Sequence, residues 1–442
     1  MNAPIFDFVS RYVDSRAARL HVPGHKGVGP LGCENRDITE IAGADELYAA
    51  SGIIAGSEAN AASLFGSGAT FYSAEGSSLC IRAMLTLALN HRAPDAAPVA
   101  LAARNAHKAF VYAAALCGFE VEWLYPEEEA GLCACPVTPQ GLARRLDGMG
   151  IKPFCVYVTS PDYLGNRQDL AGLAAVCHAR GVPLIVDNAH GAYLRFLPRS
   201  LHPLDLGADL CCDSAHKTLP ALTGAAYLHI SKDANPAFIA GARDALALYG
   251  STSPSYLILQ SLDLCNLALA GDFPERLAGA ARRVSALQAT LAGRGFDVLS
   301  GEPMKLTLRG DGRALADALR AGGVECEYAD RNHAVLMFSP DNPPEDYARA
   351  ACALQSPPPP YYEAHEVPLP APRLARALSI REAVFAPSEL VDARRAVGRV
   401  CAAPTVSCPP AVPVAVSGEI ITPEAVRALE HYGVGRVRVV VS

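Results

Sequence analysis

The sequence predicts an α/β protein: a large domain built on a mostly parallel sheet covered by helices on both faces, plus a smaller α+β region towards the C-terminus. Three observations predict it. Short, unbroken apolar runs recur between about Leu47 and Tyr249, helical stretches separate them, and the pattern changes after Phe273. Strands buried on both faces read as continuous aliphatic runs because neither face meets water.

In chain order, an N-terminal arm of about 45 residues holds His21-Val-Pro-Gly-His-Lys-Gly27, a Gly/Pro loop. The strands that follow include Pro98-Val-Ala-Leu-Ala102, Phe154-Cys-Val-Tyr-Val158, Pro183-Leu-Ile-Val-Asp187 and Ala225-Ala-Tyr-Leu-His-Ile230. Leu170 to Ala179, closed by Arg180-Gly181, is one of the helices between them. A long amphipathic helix over Phe273 to Gly293 leads into a strand–helix–strand unit: Met304-Lys-Leu-Thr-Leu308, Ala314 to Ala321 and Ala334-Val-Leu-Met-Phe338. Ser356-Pro-Pro-Pro-Pro360 marks a linker or an extended crossing, and the Pro-rich remainder ends on the strand-like Arg436-Val-Arg-Val-Val-Val441. The expected domains are therefore an arm (1–45), a large domain (46–270), a small α/β domain (271–355) and a Pro-rich C-terminal domain (356–442).

Composition narrows the function. Of 442 residues half are hydrophobic and 19% charged, enough to bury a sizeable core. The net charge of −7 offers no basic stripe for a nucleic-acid backbone. No run approaches the roughly 18–20 apolar residues of a membrane span. The first residues show no signal peptide, so a cytoplasmic location is expected. Fourteen cysteines include the adjacent pair Cys211–Cys212 and the pair Cys133/Cys135 but no C-x-x-C, which reads as buried free thiols with no metal.

Four segments carry chemistry. Ser214-Ala-His-Lys-Thr-Leu-Pro220 follows the strand Asp209-Leu-Cys-Cys, placing Lys217 in the loop past a strand end, where open α/β sheets hold their ligands. A desolvated lysine there is a nucleophile suited to forming a Schiff base, and Ser214 and His216 suit a phosphate. Asp187 closes a buried aliphatic strand about thirty residues earlier, a costly place for a carboxylate unless a cation meets it. A protonated pyridine nitrogen is such a cation, and pyridoxal-phosphate (PLP) chemistry needs one. Gly76-Ser77-Ser78 precedes a helix, where close backbone approach and free N–H groups suit an anion. His107, in Arg104-Asn-Ala-His-Lys108, is placed to stack on a cofactor ring. Each has a plainer reading: a helix cap for Gly76-Ser-Ser78, a turn cap for Asp187, a structural histidine for His107, a surface loop for Lys217. Their order along the chain is that of the fold type I PLP enzymes.

The finer texture resembles the bacterial ornithine/lysine/arginine decarboxylases. The segments that carry this are His21 to Gly27, Arg104 to Lys108, Thr159-Ser-Pro-Asp-Tyr163, Val186-Asp-Asn-Ala-His-Gly191, Ser214 to Leu222, Ser251-Thr-Ser-Pro-Ser-Tyr256, Arg381-Glu-Ala-Val-Phe-Ala-Pro-Ser-Glu389, Cys408-Pro-Pro410 and Ser417-Gly-Glu419. The resemblance implies an aspartate aminotransferase-like, PLP-dependent transferase fold. It implies Lys217 holding PLP, Asp187 on the ring nitrogen, and Ala189 and His107 on the ring faces. It places Gly76, Ser77, Ser78, Ser214 and His216 at the phosphate, His190 among the cofactor contacts, and Thr252 at a partner subunit's phosphate in a homodimer or higher oligomer with shared sites. Three features depart from the larger members: Ala74-Glu75-Gly76 stands where they tend to have Thr-Asn-Gly, Asn188 replaces a more usual Glu, and the chain looks like a compact form without an N-terminal wing.

The expected reaction is decarboxylation of arginine, lysine or ornithine to an amine, with Lys217 or His107 returning a proton to Cα. Glu34, Asp45, Glu46 and Glu419 are the acids considered for the substrate's distal cation. A fold type I aminotransferase or other lyase shares Lys217 and Asp187 but wants an arginine clamp for the carboxylate, for which Arg381 is available. A non-catalytic partner protein is the third reading, against which the set Lys217, Asp187 and His107 argues.

Overall fold

The computed structural model describes residues 1–126, 130–357, 369–405 and 410–441. The linker prolines from 358 on and residues 408–409 of the Cys-Pro-Pro segment lie outside the described residues. Among the described residues, seven strands belong to the large sheet: β1 (Ala69–Ser73), β2 (Ala96–Ala103), β3 (Glu120–Leu124), β4 (Lys152–Thr159), β5 (Leu184–Asp187), β6 (Leu210–Asp213) and β7 (Ala226–Ile230). A second sheet contains β8 (Asp297–Leu299), β9 (Lys305–Arg309), β10 (Tyr328–Ala329) and β11 (His333–Met337), and a ribbon pairs β12 (Ser388–Asp392) with β13 (Arg436–Val440). The chain forms two compact units, Met1–Ala93 with Cys177–Leu277, and Pro94–Val176 with Ala278–Ser442.

In the first unit the strands run in the order β1-β7-β6-β5. β5 and β6 are parallel, with Asp187 opposite Cys212. β7 is antiparallel to both β6 and β1, so this part of the sheet is mixed. Every residue of β5, β6 and β7 is buried, the largely apolar runs of the three strands meeting no water on either face. The helix Ser77–Asn90 buries nearly all of its length and packs on β1, β6, β7 and the helix Pro236–Ala247. An apolar surface on all sides leaves a helix no solvent face.

The arm contains an element that the sequence reading lacks, a helix over Pro4–Asp14 with Ile5 and Val9 buried. Its first N–H groups are capped from far along the chain. Asp263 Oδ2 accepts from Ile5 N at 2.8 Å and Phe6 N at 3.0 Å.

In the second unit β4-β2-β3 are all parallel. The small sheet, order β10-β11-β9-β8, is antiparallel throughout. The helices Gly312–Ala321 and Phe273–Gly293 match the periodicity that predicted them. In the C-terminal region β13 alternates exposed arginine with buried valine, the period-two signature of a strand with one wet face. Val437 and Val439 join Val414, Ile421, Leu429 and their neighbours in a local core.

Candidate active site

The first unit gathers most of the residues singled out from the sequence. Gly76 is the N-cap of the helix Ser77–Asn90, at φ 72° and ψ 177°, with no side chain capping the turn. That conformation is essentially reserved for glycine, and space is open around its Cα. Its N–H donates to Gly224 O at 2.7 Å, fixing the loop from behind. The start of the helix therefore carries no side-chain cap, the arrangement in which first-turn amides suit an anion. Ser214 Oγ donates to Ser77 Oγ at 2.8 Å, so the helix start and the end of β6 meet there.

Lys217 lies in a single helical turn, Ala215–Thr218, where a loop was expected; the position past the end of β6 is as expected. Its Nζ is 3.1 Å from His190 Nε2. His190 belongs to the segment that Asp187 begins, so the ends of β5 and β6 are brought together through their side chains. Asp187 is buried; its Oδ1 accepts from Ala189 N at 3.2 Å, with Cys212 Sγ at 3.8 Å. Asp187 thus caps the turn that follows it, as the plainer reading expects, with one oxygen. The side chain of Asn188 points to Asp213, its Nδ2 donating to Oδ1 at 2.6 Å.

His216 presents Nδ1 to Ala225 O at 2.9 Å. Burial holds its ring below the usual histidine range, and the neighbouring Lys217 adds to this against the pull of the Ala225 carbonyl. Thr252 is exposed in a loop tied to the phosphate segment through Glu75, whose Oε1 accepts from Ser251 N at 2.6 Å.

His107 belongs to the second unit. It is the N-cap of the helix Lys108–Cys117, its Nδ1 accepting from Ala109 N at 3.1 Å. Arg104 in the same segment is buried, and its guanidinium donates to Pro413 O at 2.8 Å and Val414 O at 3.0 Å, with Glu419 Oε2 at 3.5 Å. Lys108 N donates to Ala411 O at 2.9 Å, so the C-terminal region holds the His107 loop.

Of the four acids considered for the substrate, Glu34, Asp45 and Glu419 are already engaged within the chain. Glu34 accepts from Leu31 N, Asp45 accepts from Ser51, Gly52 and Ile54 N–H groups, and Glu419 pairs with Arg104 and accepts from Val416 N. Glu46 is exposed. Arg381 Nη1 donates to Ala115 O and Leu116 O, which occupies it at the end of the His107 helix.

Residues 3–294 match the family model described as Orn/Lys/Arg decarboxylase, major domain. The chain belongs to that family. It is 28% identical over 470 residues to an arginine decarboxylase of Bacillus subtilis, covering 95% of this chain and 91% of that one. It is 27% identical over 478 residues to the uncharacterized protein YaaO of the same organism, covering 98% and 94%. The constitutive lysine decarboxylase of E. coli superposes with a TM-score of 0.78 at 17% identity, over 100% of this chain and 82% of that one. That likeness establishes the aspartate aminotransferase-like fold of PLP-dependent enzymes.

The family's cofactor is PLP, and the residues present fit it. The uncapped helix start beside Ser77 and Ser214 matches a phosphate. The Thr218 hydroxyl, next to Lys217, is buried with no hydrogen-bond partner among the described residues, a donor left for something else. The sequence indicated the lysine, the aspartate and the helix start from their places at element ends. It carried no sign of the Lys217–His190 or Asn188–Asp213 pairs, because nothing in a spacing of about 25 residues fixes which strand ends adjoin.

Proposed function

We propose that this decarboxylase acts on a basic amino acid, arginine being the substrate to test first, and that Lys217 holds the cofactor with Asp187 at the ring nitrogen. The observation that carries the reading is the convergence of Lys217 Nζ on His190 Nε2, within the segment Asp187 begins, beside the Ser77–Ser214 pair at a helix start. PLP, when bound, supplies the electron sink that lets the Cα–carboxylate bond break. The chain's own residues do the rest. Gly76, Ser77, Ser78, Ser214 and His216 hold the phosphate, and Asp187, a carboxylate in a buried place, keeps a positive charge on the ring nitrogen. Ala189 packs on one ring face and His107 on the other. Lys217 Nζ, hydrogen-bonded to His190, holds the proton that replaces CO₂ at Cα.

The engagement of Arg381 by two backbone carbonyls disfavours an aminotransferase, which must retain the carboxylate. Thr252 reaches the phosphate site of a second copy in a homodimer. In support, the arm leaves Leu20 94% and Leu31 81% exposed, together with Val22 and Val28, an apolar stretch suited to burial by another copy. A cytoplasmic setting suits the free thiols of all the described cysteines, and no helix among the described residues is long and apolar enough to cross a membrane.

The test is to record the absorption spectrum of the purified protein and add arginine, lysine and ornithine separately while trapping CO₂. A visible cofactor band that changes with one of them, with CO₂ released, is expected. A band with no CO₂ from any of the three would reject the substrate class while keeping the cofactor.

A further inference from the structure

Asp213 is the residue before Ser214, four before Lys217, and its side chain is completely buried. A carboxylate in such a place persists only if donors surround it. Three do. Asn188 Nδ2 donates to Oδ1 at 2.6 Å, while His202 Nε2 and His229 Nε2 lie 3.0 and 3.2 Å from Oδ2. His202 accepts from Leu204 N on Nδ1 at 3.4 Å, which leaves Nε2 to donate towards Asp213. His229 meets Thr70 Oγ1 at 2.8 Å through Nδ1 and packs on Phe65, whose ring centre is 4.4 Å away. Among the described residues, the Asp213 side chain is thus tied to β7 and to the His202 turn through Oδ2 and to Asn188 through Oδ1.

Asn188 follows Asp187 directly, and its Oδ1 has no partner among the described residues. Its backbone N–H donates to Cys212 O at 3.0 Å, so chain and side chain both bridge from the end of β5 to the end of β6. We propose that Asp213, acting through Asn188, is a positioning residue that fixes the strand end carrying Asp187 against the strand end carrying Ser214 and Lys217. The inference rests on the proposed cofactor site and adds to it a pair that touches neither cofactor nor substrate. His202, Cys211 and Asp213 also offer ligand atoms within 4.8 Å of one another, the arrangement of a metal cluster. The donors directed at Asp213 make the hydrogen-bonded reading complete without an ion.

The pair is tested by exchange. Asn188→Ala removes the side-chain half of the bridge and leaves the backbone bond to Cys212 O and both histidines on Asp213, so the fold is expected to survive. Asp213→Asn places an amide against three donors. The double variant Asn188→Asp with Asp213→Asn rebuilds the bridge with acid and amide exchanged, the new amide donating to the carboxylate introduced at position 188. PLP affinity is measured by titration of the visible band, with far-ultraviolet circular dichroism as the control for folding. The expected result is about tenfold weaker PLP binding and a displaced absorption maximum in Asn188→Ala, with most of the loss restored in the double variant relative to Asp213→Asn. Wild-type affinity and spectrum in a folded Asn188→Ala protein would overturn the inference, as would a double variant no better than Asp213→Asn alone. Stoichiometric zinc in the purified protein, lost in Asp213→Asn, would overturn it in favour of a metal site. Failure of the wild type itself to bind PLP is a distinct result, and it removes the cofactor reading on which the inference stands.

Discussion

Asp187 and Lys217 stand at or just past the ends of adjacent parallel strands, and in the proposed site their chemistry is complementary: a carboxyl group for the ring nitrogen and an amine for the carbonyl. Replacing Asp187 by Ala removes the anion while leaving the strand intact. The account predicts a loss of about 3–4 kcal/mol of transition-state stabilisation, read as a fall in kcat/KM of two to three orders of magnitude with the protein still folded. His216 gives a prediction with a sign. Burial keeps its ring below the usual range of about 6.5, so near pH 7 it is neutral with Nδ1 engaged by Ala225. A phosphate dianion prefers the protonated ring, so binding takes up a proton, and affinity falls as pH rises through the pKa of the bound state. Calorimetric titration of PLP in buffers of different ionisation enthalpy should show this uptake, and His216→Gln should abolish it; uptake unchanged by the substitution would place the proton elsewhere. At this scale the sequence was legible where residue type and element end coincide, as at Lys217, Asp187 and Gly76. It was silent on Asp213 and on the pairing of His190 with Lys217, which are set by tertiary contact.

At the scale of elements, the parallel strands were legible because β5 is an aliphatic run closed by Asp187 and β4 carries the unbroken apolar run Phe154-Cys-Val-Tyr-Val158, and the helix Phe273–Gly293 because its pattern has the helical period. The Pro4–Asp14 helix was missed because its cap, Asp263, comes from a distant helix. The antiparallel direction of β7 was equally hidden, since burial on both faces gives the same apolar run whichever way a strand points. The C-terminal region contributes through Arg104, which reaches two of its carbonyls and Glu419. Burial raises the Glu419 carboxyl while Arg104 pulls it down. Glu419→Ala leaves a buried guanidinium without its counter-charge, and a loss of about 3–5 kcal/mol of stability is expected. Denaturant unfolding measures it; a change under about 1 kcal/mol would mean that the two carbonyls alone hold Arg104.

For the whole molecule, family, fold and cofactor converge on a PLP-dependent decarboxylase. The exposed apolar arm adds an expectation about assembly. Sedimentation equilibrium should give a dimer or a multiple of it, and the double variant Leu20→Asp with Leu31→Asp should shift it towards monomer with secondary structure intact. A wild-type monomer at all concentrations would remove both the shared site and the role of Thr252. The central claim, that Lys217 carries the cofactor, can be read directly. The chain has six lysines, of which Lys305 is buried, held by Asp162 O at 3.0 Å and Glu302 at 3.8 Å. Borohydride reduction of the PLP-loaded protein, followed by peptide mass spectrometry, fixes the label where the cofactor was attached. One pyridoxyl group per chain, on Lys217, is expected; a label on Lys305 or another lysine, or none on a protein saturated with PLP, would overturn the assignment.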